Sequence, residues 1–136
     1  MKKIIVLMLI CLLLITTCAC KGNVSNVEIE SYESTMYEDS DVEAAIEVVK
    51  EYFKENFEGC KLTSITYAGD EVTQNHIEVA KRHNADEVLV LSSSFETGSS
   101  LAIGDSGLND NHTYVKWLWI LVRTEDGEWQ HADHGY

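Results

Sequence analysis

Residues Thr113 to Tyr136 read TYVKWLWILVRTEDGEWQHADHGY and hold all three tryptophans of the chain together with its densest run of β-forming residues. From Val115 to Val122, β-branched, aromatic and leucine side chains are interrupted only by the charge of Lys116, the make-up of a strand that packs on a pleated surface. Glu125-Asp126-Gly127 supplies a turn, and Glu128 to Tyr136 returns with Trp129 near its start, so the stretch is expected to close the chain as a β-hairpin. Two registers compete. A three-residue Glu125-Asp126-Gly127 loop sets Arg123 opposite Trp129, where guanidinium can stack on indole; a two-residue Asp126-Gly127 loop sets Trp119 opposite His134. The first is preferred, because its type I turn with a glycine bulge asks for a left-handed residue only at Gly127.

Upstream of the hairpin the chain alternates helical and extended patterns. Ser40-Asp41-Val42-Glu43 is a capping-box sequence, and Val42, Ala45, Ile46, Val49, Phe53 and Phe57 follow at helical spacing with Tyr52 on the flank. Glu43, Glu47, Glu51 and Glu55 form an acidic stripe beside Lys50 and Lys54; with no point of convergence it reads as a solvated face. Gly59 stands where a helix ends in a left-handed residue. Cys60 to Ala68 alternates as a strand, with Leu62 on the face opposite Thr63, Ile65 and Tyr67. Asp70 is expected to cap a second helix through His83 bearing Val72, His76, Val79 and Ala80; His76 and His83, two turns apart, are too distant to share one ion. After the Asn84-Ala85-Asp86 turn, Glu87 to Phe95 begins with four apolar residues, the mark of a strand buried on both faces. Thr97 to His112 is a long polar loop in which Leu101, Ile103 and Leu108 are expected to fold back on the body. Its Asp105, Asn109, Asp110 and Asn111 offer oxygens, but the spacing departs from a calcium loop.

The front of the chain is an address. Met1-Lys2-Lys3 is a positive n-region and Ile4 to Ile15 an apolar h-region, short for a membrane span. Thr16-Thr17-Cys18-Ala19-Cys20-Lys21 resembles the lipobox of bacterial lipoproteins, which implies a diacylglyceryl (palmitate-type) thioether on Cys20, with Cys18 as the fallback, and a domain held on the extracytoplasmic face of the cell membrane. The chain divides accordingly into a signal peptide (1–19), a flexible acidic tether (20–38), whose second half Tyr32, Met36 and Tyr37 could dock on the domain, and a single α+β domain (39–136). Cys60 is expected to be a free, buried thiol, because Cys11 and Cys18 leave with the leader and a lipidated Cys20 cannot pair. The net charge of −13 becomes −15 when Met1 to Ala19 take Lys2 and Lys3 away, which argues against nucleic acid as a partner.

The order helix, strand, helix, strand, loop, strand, strand (α-β-α-β-β-β), with VVKEYF, ADEVLVL, KWLWILVR and the final DHGY, resembles small uncharacterised lipoproteins of Gram-positive bacteria. Their domain is similar to the nuclear transport factor 2-like (cystatin-like) superfamily, which implies helices packed on a curved antiparallel sheet. That superfamily hosts isomerases, dehydratases, transport factors and binding modules, so the resemblance carries no single activity.

Two functional readings follow. The favoured one is a non-catalytic binding or interaction module: Val115 to Val122 is apolar on both faces, the first helix covers only one, and the other needs a second helix, the folded loop, a second copy in a homodimer, or a ligand. The alternative is an isomerase- or dehydratase-like enzyme. In a strand His131 and Asp133 share one face and His134 and Tyr136 the other; the resemblance to isomerase-type relatives implies a cavity into which the first two would point, Asp133 to abstract a proton and His131 to polarise a carbonyl. A zinc version would need a third ligand, for which His112 is the candidate; no cofactor beyond the lipid is expected.

Overall fold

The computed structural model describes residues 21–125 and 127–136. The expected signal peptide and both candidate lipidation sites, Cys18 and Cys20, lie outside the described residues. The fold is α+β. A five-stranded, mixed and open sheet is built from β1 (Glu28–Ile29), β2 (Cys60–Tyr67), β3 (Glu87–Thr97), β4 (Thr113–Arg123) and β5 (Gln130–Gly135), side by side in that order. Helix α1 (Asp39–Asn56) crosses one face; α2 (Asp70–Gln74) and α3 (Ile77–Arg82) cover the other, and α4 (Ser100–Ile103) sits in the long loop. No helix among the described residues is long and apolar enough to cross a membrane.

Helix α1 forms where the apolar stripe predicts it, and Val42, Ala45, Ile46, Val49 and Phe53 are all buried. Its start differs from the expected Ser40 cap. Glu38 is the N-cap, and the Asp41 carboxylate accepts the Glu38 amide proton at 3.1 Å. The first turn thereby gathers Asp39 and Asp41 at the positive end of the helix dipole. At the other end Gly59 adopts φ +73°, and a Cβ there would stand 2.5 Å from the Ala102 carbonyl oxygen, so both conformation and space demand glycine.

Strand β2 corrects the expected face of Leu62. Leu62 pairs with Phe95 but Ser64 pairs with Ser94, so Thr63 is the extra residue of a bulge. The alternation resets there, and Cys60, Leu62, Ile65 and Tyr67 all join the core under α1. A second bulge lies where Ser93 pairs with Trp117 and Phe95 with Tyr114; Lys116 takes φ +55° within it. Strand β3 is buried on both faces as expected: Leu89 and Leu91 face α1, while Val88 and Val90 face α2 and α3 with Ile120 and Val122. The face of β4 that seemed to need a partner is thus covered over much of its length by the second helical region.

That region is two short helices rather than the single one expected. His76, between them, turns its Nδ1 onto the Val72 carbonyl at 2.8 Å, a local bond that competes with helix continuation. Asp70 is not the N-cap, a place held by Gly69. Its carboxylate instead accepts the Thr35 amide at 2.9 Å and the hydroxyls of Ser34, Thr35 and Tyr67 at 2.8, 2.8 and 2.9 Å, which hold it well below the usual carboxylate range. The expected tether is accordingly laid along the domain from Gly22 onwards. Asn23 exchanges backbone hydrogen bonds with Cys60 and Leu62, β1 runs parallel to β2, and the Tyr37 hydroxyl donates to the Val88 carbonyl at 2.6 Å. These contacts cover the open edge of β2. In the long loop Ile103 is buried and Leu108 packs on the core as expected, but Leu101 points outward.

Phe53 is fully buried in an aromatic cluster, so Phe53→Ala is expected to cost about 3–5 kcal/mol in urea unfolding. Glu51→Ala, on the exposed stripe of the same helix, is expected to stay within about 0.5 kcal/mol. Equal losses would show that α1 does not pack by this face.

Candidate functional site

The two hairpin registers considered from sequence both occur, separated by a bulge. Near the turn Val122 pairs with Gln130 and Leu121 with His131, the register that brings Arg123 to Trp129; beyond it Ile120 pairs with Asp133 and Trp119 with His134. Ala132 is the extra residue. Arg123 lies over the Trp129 ring at 4.2 Å from its centroid, donates through Nη1 to Asp41 at 3.0 Å, and donates through Nε to Glu87. One guanidinium thus joins the start of α1, the start of β3 and the hairpin.

The bulge also overturns the expected pairing of His131 with Asp133. Because the alternation resets at Ala132, His131 and His134 come to the same face, with His131 Nε2 and His134 Nδ1 2.9 Å apart. One imidazole donates its N–H to the bare nitrogen of the other. Asp133 is exposed, stands opposite Ile120 on the other side of the sheet, and accepts the His134 amide at 2.8 Å. His112 is elsewhere, its amide bonded to Thr97 Oγ1 at 2.9 Å and its ring against Tyr114. The proton-abstraction pair and the His131, Asp133, His112 metal set therefore do not assemble. Among the described residues no three His, Cys, Asp or Glu side chains lie together as a metal cluster would.

What the bulge does assemble is an aromatic wall at the C-terminal end of α1. Tyr52 stacks on His131 with ring centroids 3.7 Å apart and planes 12° from parallel. His134 packs against Phe57, Trp119 and Trp117 at 5.4, 5.2 and 5.8 Å. Burial lowers the pKa of both histidines; for His131, burial and the neighbouring His134 outweigh Asp133 and bring it down to about 4. The pair is therefore neutral at ordinary pH. Beside it opens a groove of about 440 Å³ lined by Tyr52, Asn56, Phe57, Ser106, Leu108, Trp117 and His134. The indole N–H groups of Trp117 and Trp129 are buried and have no acceptor among the described residues.

Cys60 is buried under the same core; its thiol approaches the Glu58 carbonyl at 3.7 Å, and burial pushes its pKa up to about 11, so it is held as the unreactive thiol. Tyr52, Asn56 and Trp117 were not singled out as site residues by the sequence. The only signal was Tyr52-Asn56-Phe57, a polar-aromatic patch on the flank of the last helical turns. No family model matches the chain, and no curated protein or solved structure was found similar to it.

The histidine pair sets a pH window. With the His131 pKa brought from 6.5 down to about 4, the unfolded chain binds more protons between those values, so stability falls as the pH drops through that interval and levels off below it. Asp70, whose pKa is lowered from 3.8, adds stability that is lost only as the pH falls below that value. Melting temperatures are expected to show both declines in the natural chain, and His131→Gln to flatten the upper one alone. An unchanged upper decline in the variant would contradict the burial of His131.

Proposed function

We propose that the chain is a lipid-anchored extracytoplasmic binding protein that takes a small, largely apolar ligand into the groove at the C-terminal end of α1. The groove's lining carries this reading. Tyr52, Phe57, Leu108 and Trp117 offer apolar and aromatic surface, while Asn56, Ser106 and a neutral His134 provide a few directional hydrogen-bonding groups. That proportion, and a volume of about 440 Å³, match small-molecule sites, which span roughly 300–1,000 Å³. With its Nδ1 bonded to His131, His134 keeps only Nε2 for a ligand, a single donor or acceptor set by the tautomer, which suits one uncharged polar group at the end of a hydrophobic ligand.

The anchor is supported by the leader itself: Lys2-Lys3, the Ile4 to Ile15 apolar run and Ala19 before Cys20. The acidic charge fits a domain that must stay soluble beside an anionic surface. A long helix across one face of an open sheet, with a groove at its end, supports kinship with the cone-shaped nuclear transport factor 2-like arrangement.

Tryptophan emission of the detergent-solubilised chain, titrated with a panel of small apolar compounds, tests the groove. A compound that shifts the emission is expected to bind about tenfold more weakly to Trp117→Ala, a loss of roughly 1.4 kcal/mol. Affinity unchanged in that variant would place the ligand elsewhere. For the anchor, Cys20→Ser is expected to abolish incorporation of labelled palmitate into the protein in expressing cells, while Cys18→Ser leaves it. The reverse pattern would move the lipid to Cys18.

A further inference from the structure

The chain meets the domain without slack. Gly22 donates its amide to the Lys54 carbonyl at 2.9 Å, Asn23 donates to Cys60 at 2.8 Å, and the Lys21 ammonium lies 2.9 Å from the Glu55 carboxylate. The approach at Gly22 is backbone on backbone: a Cβ there would stand 2.4 Å from the Phe53 carbonyl oxygen. Cys20 precedes this point by two residues, and two residues reach at most about 7 Å. A lipid on Cys20 therefore holds this end of the domain within side-chain reach of the headgroups.

The same end carries exposed apolar side chains. Cys60, bonded to Asn23, follows Gly59, whose carbonyl accepts the Gly98 amide at 2.9 Å and whose α-carbon abuts α4. Leu101 projects from α4 with 94% of its surface exposed. Val115 and Tyr136, 53% and 79% exposed, lie at this end too, because Tyr114 pairs with Phe95 and Tyr136 packs against Tyr114 and Trp117. A lone exposed leucine needs no explanation. Two aliphatic groups and a tyrosine around one attachment point match what a headgroup interface takes up. The exposed charges there are Lys61 and Lys116 against Glu58, Glu96, Asp105 and Asp110, so charge does not draw this end to an anionic bilayer and the contact rests on the apolar groups.

We propose that this end of the domain, with Leu101 at its tip, rests on the bilayer in which the lipid is anchored, so that the protein is seated on the membrane and not suspended from it. The proposal rests on the lipid-anchor reading above. Seating leaves the far end, with α3 and the start of β3, facing away: Val88, against which α3 packs, is nine residues from Thr97, roughly 30 Å along the strand.

The test uses the full lipidated chain in phosphatidylcholine–phosphatidylglycerol vesicles containing doxyl-labelled phosphatidylcholine. Leu101→Cys and Lys81→Cys are each labelled with a polarity-sensitive thiol fluorophore, the buried Cys60 staying unreactive. The label at position 101 is expected to shift to the blue and lose most of its emission to the doxyl groups, in low and high salt alike, while the label at position 81, on α3, is unaffected. Equal quenching at the two positions in protein that floats with the vesicles would overturn the seating and leave the anchor standing. Protein that fails to float with the vesicles would overturn the anchor, and the seating with it.

Discussion

The structure depends on one contact, the packing of the α1 aromatic residues against the inner face of β3 and β4. Phe53 and Phe57 stack at 4.8 Å and meet Phe95 edge-on at 5.7 and 5.5 Å, while Trp119 lies 6.3 and 5.2 Å from them. The one polar group of this cluster is paired: the Trp119 indole donates to Ser93 Oγ at 2.7 Å. The strands must present their large side chains to the helix, and a strict two-residue alternation would not do so. A bulge in each of the three antiparallel pairings corrects the phase, at Thr63, around Lys116 and at Ala132.

The groove follows from the same constraint. At Ala132 the reset keeps Leu121 and Trp119 opposite the inward residues of β5, and those residues are histidines. They are tolerated in an aromatic setting because each satisfies the other and Tyr52 covers one of them. Arg123 secures the arrangement from the far end of the hairpin, with Asp41 and Glu87 sharing its guanidinium and Trp129 beneath it. Packing, charge and site geometry are here consequences of a single register.

Much of this was legible in the residues, for a physical reason in each case. The α1 stripe, Val42 to Phe57, runs for about four turns without interruption, and four consecutive apolar residues at Val88 to Leu91 leave no polar face to expose. The partnership of Arg123 with Trp129 follows from a three-residue turn, closed by the Gly127 amide on the Thr124 carbonyl at 2.9 Å. The bulges were not legible, because a one-residue insertion is chosen by tertiary packing and leaves no periodicity of its own; this is why His131 was matched with Asp133 instead of His134. The helix start was displaced because Glu38, Asp39, Ser40 and Asp41 all offer capping oxygens. Docking of the second half of the 21–38 segment was legible in Tyr32 and Tyr37, which pack on the core; the first half was not, because its polar, aperiodic composition also suits a strap whose bonds are made by backbone. The groove itself joins α1, the loop and the hairpin, which no local pattern reports.

The account stands or falls on the phase of β5. Nuclear Overhauser contacts of the His131 and His134 ring protons test it directly. Both rings are expected to show cross-peaks to Tyr52 and Trp119 ring protons, and Asp133 β-protons to show none. Cross-peaks linking His131 to Asp133 side chains on one face, with His134 contacting the α2–α3 side, would contradict it.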